Sequence, residues 1–474
     1  MPRRARLSRG RFTAAFVLVV GIGLGPGCTD VRHECEATDG SVGDLLAVDG
    51  AVGCGDDSGC TSAATPVCDK ASHTCRACQA GSPSADCAGA AGKPVCSTSG
   101  ACVECASNGD CAAQGKSCEL TTFTCVACNA NIECASGACR ADHVCAAASD
   151  LVYVDNKNGA CSGTSHAGTA GDPYCQVNDA FAATGGTILV AGSSTAYNSI
   201  ALSTAATKSV VGPGRSAAPT ATFGSFSKNG ALVNPTSGTA SLSLAGVTLT
   251  GGSSAAGLVC FQNASSSLSV TVARSTITGS GGDGVDSTGC AITLDANEIT
   301  SNHGGGVKLS GGTYTVTNNI IAGNGNTLSG GVPGFSADTA AGAAGVGFAF
   351  NTVTKNMTSV GVAGLDCSVI SHTITASIVT GNTTAGGTQF ANACTFTNVV
   401  AGSIDTSSAT GLVKLDPTYV STSNFRLDMT AGPAATANNA CCVDQLATGA
   451  TDHDVDSNRR PVRAKWDIGA FEAP

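Results

Sequence analysis

Charged side chains make up only 12% of this chain and aromatic ones 4%, with 3 Met, 5 Tyr and a single Trp. A chain so short of Leu, Lys and Glu makes few amphipathic helices, which argues against a mixed α/β enzyme. Basic residues are also scarce, 24 against 34 acidic, for a formal net charge of -10 and a pI near 5.1. Long-range repulsion then opposes any general affinity for phosphate backbones, so nucleic acid is excluded as a partner. No Gly-x-Ser-x-Gly elbow, phosphate loop or metalloprotease His motif is present. His166, His303 and His372 are scattered and suggest no metal cluster. The early apolar run, Phe12 to Leu24, is too short to span a bilayer comfortably.

What is abundant is Gly, 62 residues, together with Ala, Ser, Thr and short runs of Val and Ile. That composition suits short strands and tight turns, and the predicted class is all-β. At 474 residues the chain has room for two or three units, of which a solenoid can take the larger share.

Residues 1–28 read as an export signal: Arg3, Arg4, Arg6, Arg9 and Arg11, the apolar run, then Gly25-Pro26-Gly27-Cys28. Cys28 resembles a bacterial lipoprotein cleavage site, where the cysteine is lipidated and becomes the new N-terminus. The alternative is an ordinary secretory signal with a nearby cysteine. The expected location is the bacterial outer membrane or cell surface as a lipoprotein, otherwise secreted. Membrane contact is expected only through that anchor. Residues 29–53 read as a flexible tether.

The 26 cysteines of an exported chain point to disulfides. Sixteen form four consecutive groups: Cys54, Cys60, Cys68, Cys75; Cys78, Cys87, Cys96, Cys102; Cys105, Cys111, Cys118, Cys125; and Cys128, Cys134, Cys139, Cys145. The groups start 24, 27 and 23 residues apart, so residues 54–148 are an internal repeat. Each unit is too small to stand on a hydrophobic core, whereas two crosslinks contribute roughly 2–4 kcal/mol apiece. A beaded, stalk-like spacer is predicted. Four cysteines allow three connectivities, and spacing does not choose among them. Cys35 either pairs with a stalk cysteine or stays free.

From Leu151 the texture changes. A segment recurs as Val247-Thr-Leu249-Thr, Ser275-Thr-Ile277-Thr, Asn297-Glu-Ile299-Thr, Asn319-Ile-Ile321-Ala, Asn351-Thr-Val353-Thr and Ser377-Ile-Val379-Thr, with anchors 28, 22, 22, 32 and 26 residues apart. One coil per repeat with insertions in the turns is the predicted geometry. Leu249, Ile277, Ile299, Ile321, Val353 and Val379 would stack inward as an aliphatic ladder, with rungs about 4.8 Å apart. Asn302, Asn324, Asn356 and Asn382, three residues after four of the anchors, would form an amide ladder at a corner and supply its left-handed backbone. Asn297, Asn319 and Asn351 form a second column.

These coils, the opening Val152-Tyr153-Val154-Asp155 and the closing Asp467-Ile468-Gly469-Ala470-Phe471-Glu472 resemble right-handed parallel β-helix proteins of the pectate-lyase-like superfamily, in particular the choice-of-anchor Q type. The resemblance covers residues 151–474. It implies a single-stranded right-handed solenoid, with a short helix within Pro173 to Ala183 capping the first coil through Val177, Ala180 and Phe181. Cys161 with Cys175, Cys260 with Cys290 and Cys367 with Cys394 are candidate disulfides. The adjacent Cys441 and Cys442 cannot both be assigned.

Material for chemistry is sparse. Asp283, Asp286, Asp295, Glu298, His303 and Lys308 form the densest polar group, and solvated turn residues are its plain explanation. As a lyase site it would use Lys308 as base and Asp283 with Asp286 as ion ligands. The Asn-x-Asp, paired-Asp and Arg-Ile-Lys motifs of polygalacturonases are absent from residues 151–474. Asp452, Asp454 and Asp456 alternate as calcium loops do, so calcium is the candidate cofactor. A sharp-turn Gly and a downstream Glu are lacking, and the family resemblance implies a structural role instead. The expectation is a noncatalytic surface module binding polysaccharide or protein. The alternative is a polysaccharide lyase or glycoside hydrolase on the same scaffold.

Overall fold

The structure is a computed structural model. It describes residues 53–79, 85–162, 166–224, 227–326, 334–338, 347–367, 372–384, 389–391, 393–402, 412–421, 424–428, 439–443, 445–446, 453–461 and 465–472. The export signal, Cys28, Cys35 and the tether up to residue 52 lie outside them.

In the cysteine-rich region, three of the four units carry a small antiparallel ribbon: Val67–Asp69 with Thr74–Arg76, Val95–Cys96 with Cys102–Val103, and Ser117–Glu119 with Thr124–Val126. The fourth has the single bridge Cys139 to Cys145. The third and fourth cysteines of every unit therefore face each other across a ribbon, and each bonds a different earlier cysteine. The pairs are Cys54–Cys68 and Cys60–Cys75, Cys78–Cys96 and Cys87–Cys102, Cys105–Cys118 and Cys111–Cys125, Cys128–Cys139 and Cys134–Cys145. First-to-third and second-to-fourth pairing is thus uniform, and the cysteines themselves are the core of each unit. The ribbon turns hold His73, Gly100, Phe123 and His143 at positive φ, and the carbonyl of each accepts from the N–H of its unit's first cysteine.

From Leu151 the chain winds as a parallel β-helix. The first sheet has ten strands from Leu151–Val154 to Thr395–Thr397, the second nine from Thr222–Phe223 to Leu412–Lys414, and the third seven from Ile200–Leu202 to Leu365–Asp366. Every pairing within these sheets is parallel, and strands three elements apart along much of the chain are neighbours, as one turn per coil requires. Such crossovers wind right-handed as a rule. In the second sheet the register runs Phe223, Leu249, Ile277, Ile299, Ile321, Val353, Val379, Ala401, and all eight are fully buried. The first sheet contributes Val210, Leu244, Val272, Leu294, Val316, Phe348 and Ile374 in register. Each such side chain removed from water contributes roughly 1.5–3 kcal/mol.

Both asparagine columns are hydrogen-bonded ladders. Asn302 donates from its backbone N–H and its amide to Asn324 Oδ1 (3.1 and 2.9 Å), Asn324 likewise to Asn356, Asn356 to Asn382, and Asn382 to Gln389. The second column runs Asn297, Asn319, Asn351 and ends on the hydroxyl of Ser377. The left-handed backbone expected of these asparagines falls one residue earlier instead. Arg274, Ala296, Asn318, Phe350 and Ala376 precede one column, and Ser301, Gly323, Lys355 and Gly381 the other, all at positive φ. The corner is turned first, and that turn aims the next amide inward.

The cap is the short helix Val177–Ala180, with both named residues buried and Phe181 packed on the core. Lys208, in register with the inward Leu242, carries its amine to the carbonyls of Ala183 and Gly185 (2.8 and 3.2 Å), so a cation closes that end of the core. Cys161–Cys175, Cys260–Cys290 and Cys367–Cys394 are bonded, and Cys441 is joined to Cys442.

Candidate functional site

Two of the three outer faces are covered by the chain itself. On the first sheet the outward row Leu189, Val211, Ala245, Ala273, Asp295 follows from the register. The fourth cysteine-rich unit lies on it: Ala138 and Ala146 pack on Val211 and Leu189, and Ala141 on Ala245 and Ala273. The inner end of the spacer is therefore docked and does not hang free. On the second sheet the C-terminal segment covers the later coils, with Ile468 and Leu446 against Ile378 and Val400, and Ala470 and Val455 against Ile320 and Ala322. On the third sheet Ala201, Phe261, Thr288, Lys308 and Asp338 are exposed, and Asp286 and Ser336 half-buried.

The densest polar group of the sequence is distributed over all three faces. Asp286 and Lys308 are register partners on the third sheet, with Lys308 Nζ 3.9 Å from Asp286 Oδ1 and side chains 57% and 40% exposed for Lys308 and Asp286. That is a solvated cross-strand pair. Asp283 lies at the start of the same strand, in register with Gly305. Burial, and then the charge of Asp286, push its carboxyl above the ordinary value, with Lys308 opposing. Glu298 belongs to the second sheet's outer face, where Arg215 (3.6 Å) and Arg426 (3.2 Å) hold it. Asp295 lies beneath the docked unit. His303 borders an open cleft of about 730 Å³ at the turn between the second and third sheets, lined also by Thr250, Ser253, Asn326 and the backbone of five glycines. Its lining is hydroxyls, amides, peptide groups and one imidazole, a set that can hydrogen-bond a polyhydroxylated chain.

The closing segment works as a clasp. Asp454, fully buried, accepts from the N–H of Asp456 and of Asn458 through Oδ1 (2.8 Å each), and from Asn458 Nδ2 and the N–H of Glu472 through Oδ2 (3.1 and 3.2 Å). Asp456 meets Arg426 and Arg215. Two of the three calcium candidates thus have their oxygens engaged by donors of the chain. Asp452 lies outside the described residues. Within Asp467 to Glu472, Gly469 at φ 96° donates to the carbonyl of Ala376 (2.8 Å), and Glu472 is buried beside Arg460 at 3.6 Å. Arg459 reaches Glu119 at 2.7 Å, tying this segment to the third cysteine-rich unit.

Sequence reasoning missed the junction under the docked unit. The Nε2 atoms of His143 and His453 lie 3.1 and 2.7 Å from one oxygen of Asp295, Oδ2. Its other oxygen accepts from Thr317 Oγ1 (2.8 Å) and Asn318 Nδ2 (3.0 Å). Burial alone would raise this carboxyl, but the two histidines outweigh it and hold it far below the usual range. Arg274, drawn down to about 10 by burial against the charge of Asp295, spans to the carbonyls of Cys139 and Arg140. Residues 143, 295 and 453 meet only because the unit docks and the C-terminus returns, and no local motif announces that.

No family model matches the chain, and no curated protein does. Among solved structures it is similar to the crystal structure of pectate lyase Pel9A, with 14% identity and a TM-score of 0.34 over 68% of this chain and 96% of that one. The fold stands on the strand register above and not on that likeness.

Proposed function

We propose that this is an exported, noncatalytic surface module that binds glycan through the third sheet and the adjoining cleft. The carrying observation is that the first and second outer faces are occupied by the chain's own segments, while the third, among the described residues, presents exposed side chains. That face combines hydroxyls with Phe261, 53% exposed, whose ring offers an apolar platform to the face of a sugar. Repetition along the solenoid suits an elongated ligand. The finer resemblance to the choice-of-anchor Q type and the lipid anchor at Cys28 belong to this reading and rest on the sequence alone.

A lyase reading is favoured by one feature, the raised carboxyl of Asp283 near Asp286 and Lys308. Against it stands the exposure of Lys308, whose side chain sits in a solvated pair with Asp286 and not in an enclosed groove. The discriminating experiment incubates the full oxidised chain with polyuronates and neutral glycans, with and without calcium. Binding that Phe261→Ala weakens, without depolymerisation, is the expected result. Depolymerisation abolished by Lys308→Ala would replace this reading with the lyase.

A further inference from the structure

We propose that His143, Asp295 and His453 bind one divalent transition-metal ion of the zinc class, which pins the fourth cysteine-rich unit and the C-terminal clasp to the solenoid. The three donor atoms, two imidazole nitrogens and one carboxylate oxygen, all lie within 4.8 Å of one another. That donor set is the one zinc and its neighbours prefer. Metal–ligand bonds of about 2.0–2.1 Å in tetrahedral array place ligands about 3.3 Å apart. The observed 3.1 and 2.7 Å need to open by about 0.2 and about 0.6 Å to reach that spacing.

The ring contacts supply the second argument. His143 Nδ1 lies 2.9 Å from the carbonyl oxygen of Cys128 and 3.1 Å from Arg274 Nη1, and the ring turns its Nε2 toward Asp295. The contact to the cysteine carbonyl is built into the repeat, because His73 makes it to Cys54 in the first unit at 3.2 Å. The His453 ring, its centroid 4.5 Å from that of His143, sets its own Nε2 on the same carboxylate oxygen. One divalent ion engages both rings and that oxygen at once and adds directional bonds.

The surroundings fit. Asp295 Oδ1 is taken by Thr317 and Asn318, which leaves Oδ2 for the ion, and the Cys128 carbonyl orients the His143 ring, as outer-shell partners do at metal sites. A cavity of about 300 Å³ lined by Asn129, Cys139 and Arg274 reaches residues that touch His143. The sixteen repeat cysteines are held in disulfides and do not compete for the metal.

The test uses the full chain with its disulfides formed, stripped with chelator and titrated with zinc, then with cobalt as a spectroscopic probe. Expected are one zinc per chain, a rise in melting temperature on loading, visible d–d bands of four-coordinate cobalt, and perturbed Nε2 resonances of two histidines in the unmutated protein. Asp295→Asn and His453→Gln should each lose at least the about 10- to 100-fold in affinity that outer-shell changes cost elsewhere. His372→Gln, at a buried histidine bonded to Tyr314, should keep it. Failure of the folded, unmutated chain to bind zinc or cobalt overturns the proposal, and the histidine resonances decide it even if a variant misfolds. Undiminished binding in both site variants overturns it as well.

Discussion

Replacing Asn324 by Ala removes one rung from the middle of the amide ladder. Four hydrogen bonds go with it: two that Asn324 Oδ1 accepts from Asn302 (3.1 and 2.9 Å), and two that its Nδ2 donates, to the carbonyl of Ile299 (2.8 Å) and to Asn356 Oδ1 (3.0 Å). Some losses are partly covered. The Asn302 amide still reaches the carbonyl of Ile277, and Asn356 Oδ1 still accepts the backbone N–H of residue 324. The N–H of Asn302 and the carbonyl of Ile299 are left without those partners in a fully buried corner. At roughly 1–3 kcal/mol for each buried group left unsatisfied, the expected destabilisation is about 2–6 kcal/mol, well above that of a typical point mutation. Urea unfolding of the oxidised chain, followed by the loss of β-sheet circular dichroism, measures it against exposed Thr313→Ala, expected within about 0.5 kcal/mol of the parent. The double variant Asn302→Ala/Asn324→Ala should cost less than the sum of the singles, because the rungs share bonds. A cost for Asn324→Ala no greater than that of Thr313→Ala would refute the ladder as a source of stability.

Three further outcomes are expected. The Asp283 carboxyl is raised in the folded state, so its ionisation opposes folding: the penalty is absent below the ordinary carboxylate value of 3.8 and grows as pH rises through the folded value. Asp283→Asn should therefore melt higher than the parent at neutral pH and equally at pH 3, and thermal scans at both pH values decide it. Ala141→Arg, placing a bulky cation where Ala141 is 3% exposed against Ala245 and Ala273, should undock the fourth unit and speed amide exchange along the first sheet's outer edge; unchanged exchange would show that the contact is dispensable. Breaking the exposed Lys308 and Asp286 pair with Lys308→Ala should change stability by less than about 1 kcal/mol in urea, as surface pairs do.

The solenoid was legible because its physics is local and repeated. A buried aliphatic every coil and an asparagine three residues later are printed in the chain, and the register places Ile277, Ile299 and Ile321 in one row. Disulfide pairing in the repeats was not legible, since it depends on which cysteines face each other across a ribbon. The left-handed corner residue also escaped notice: Arg274, Ala296 and Phe350 share no side-chain chemistry, and only the backbone they adopt unites them. Around Asp295, nearness in sequence is not nearness in space. Glu298, three residues after Asp295, lies around a corner on another face, while His143 and His453, 152 and 158 residues away from Asp295, are its neighbours.

The most direct test is a methyl NOE experiment on the full chain with labelled isoleucine. Rungs about 4.8 Å apart place Ile299 between Ile277 and Ile321. Strong cross-peaks for 277 with 299 and for 299 with 321, with a weak or missing one for 277 with 321, are the expected result. Loss of the two neighbour peaks, or a 277 to 321 peak as strong as either, would contradict the stacked coil.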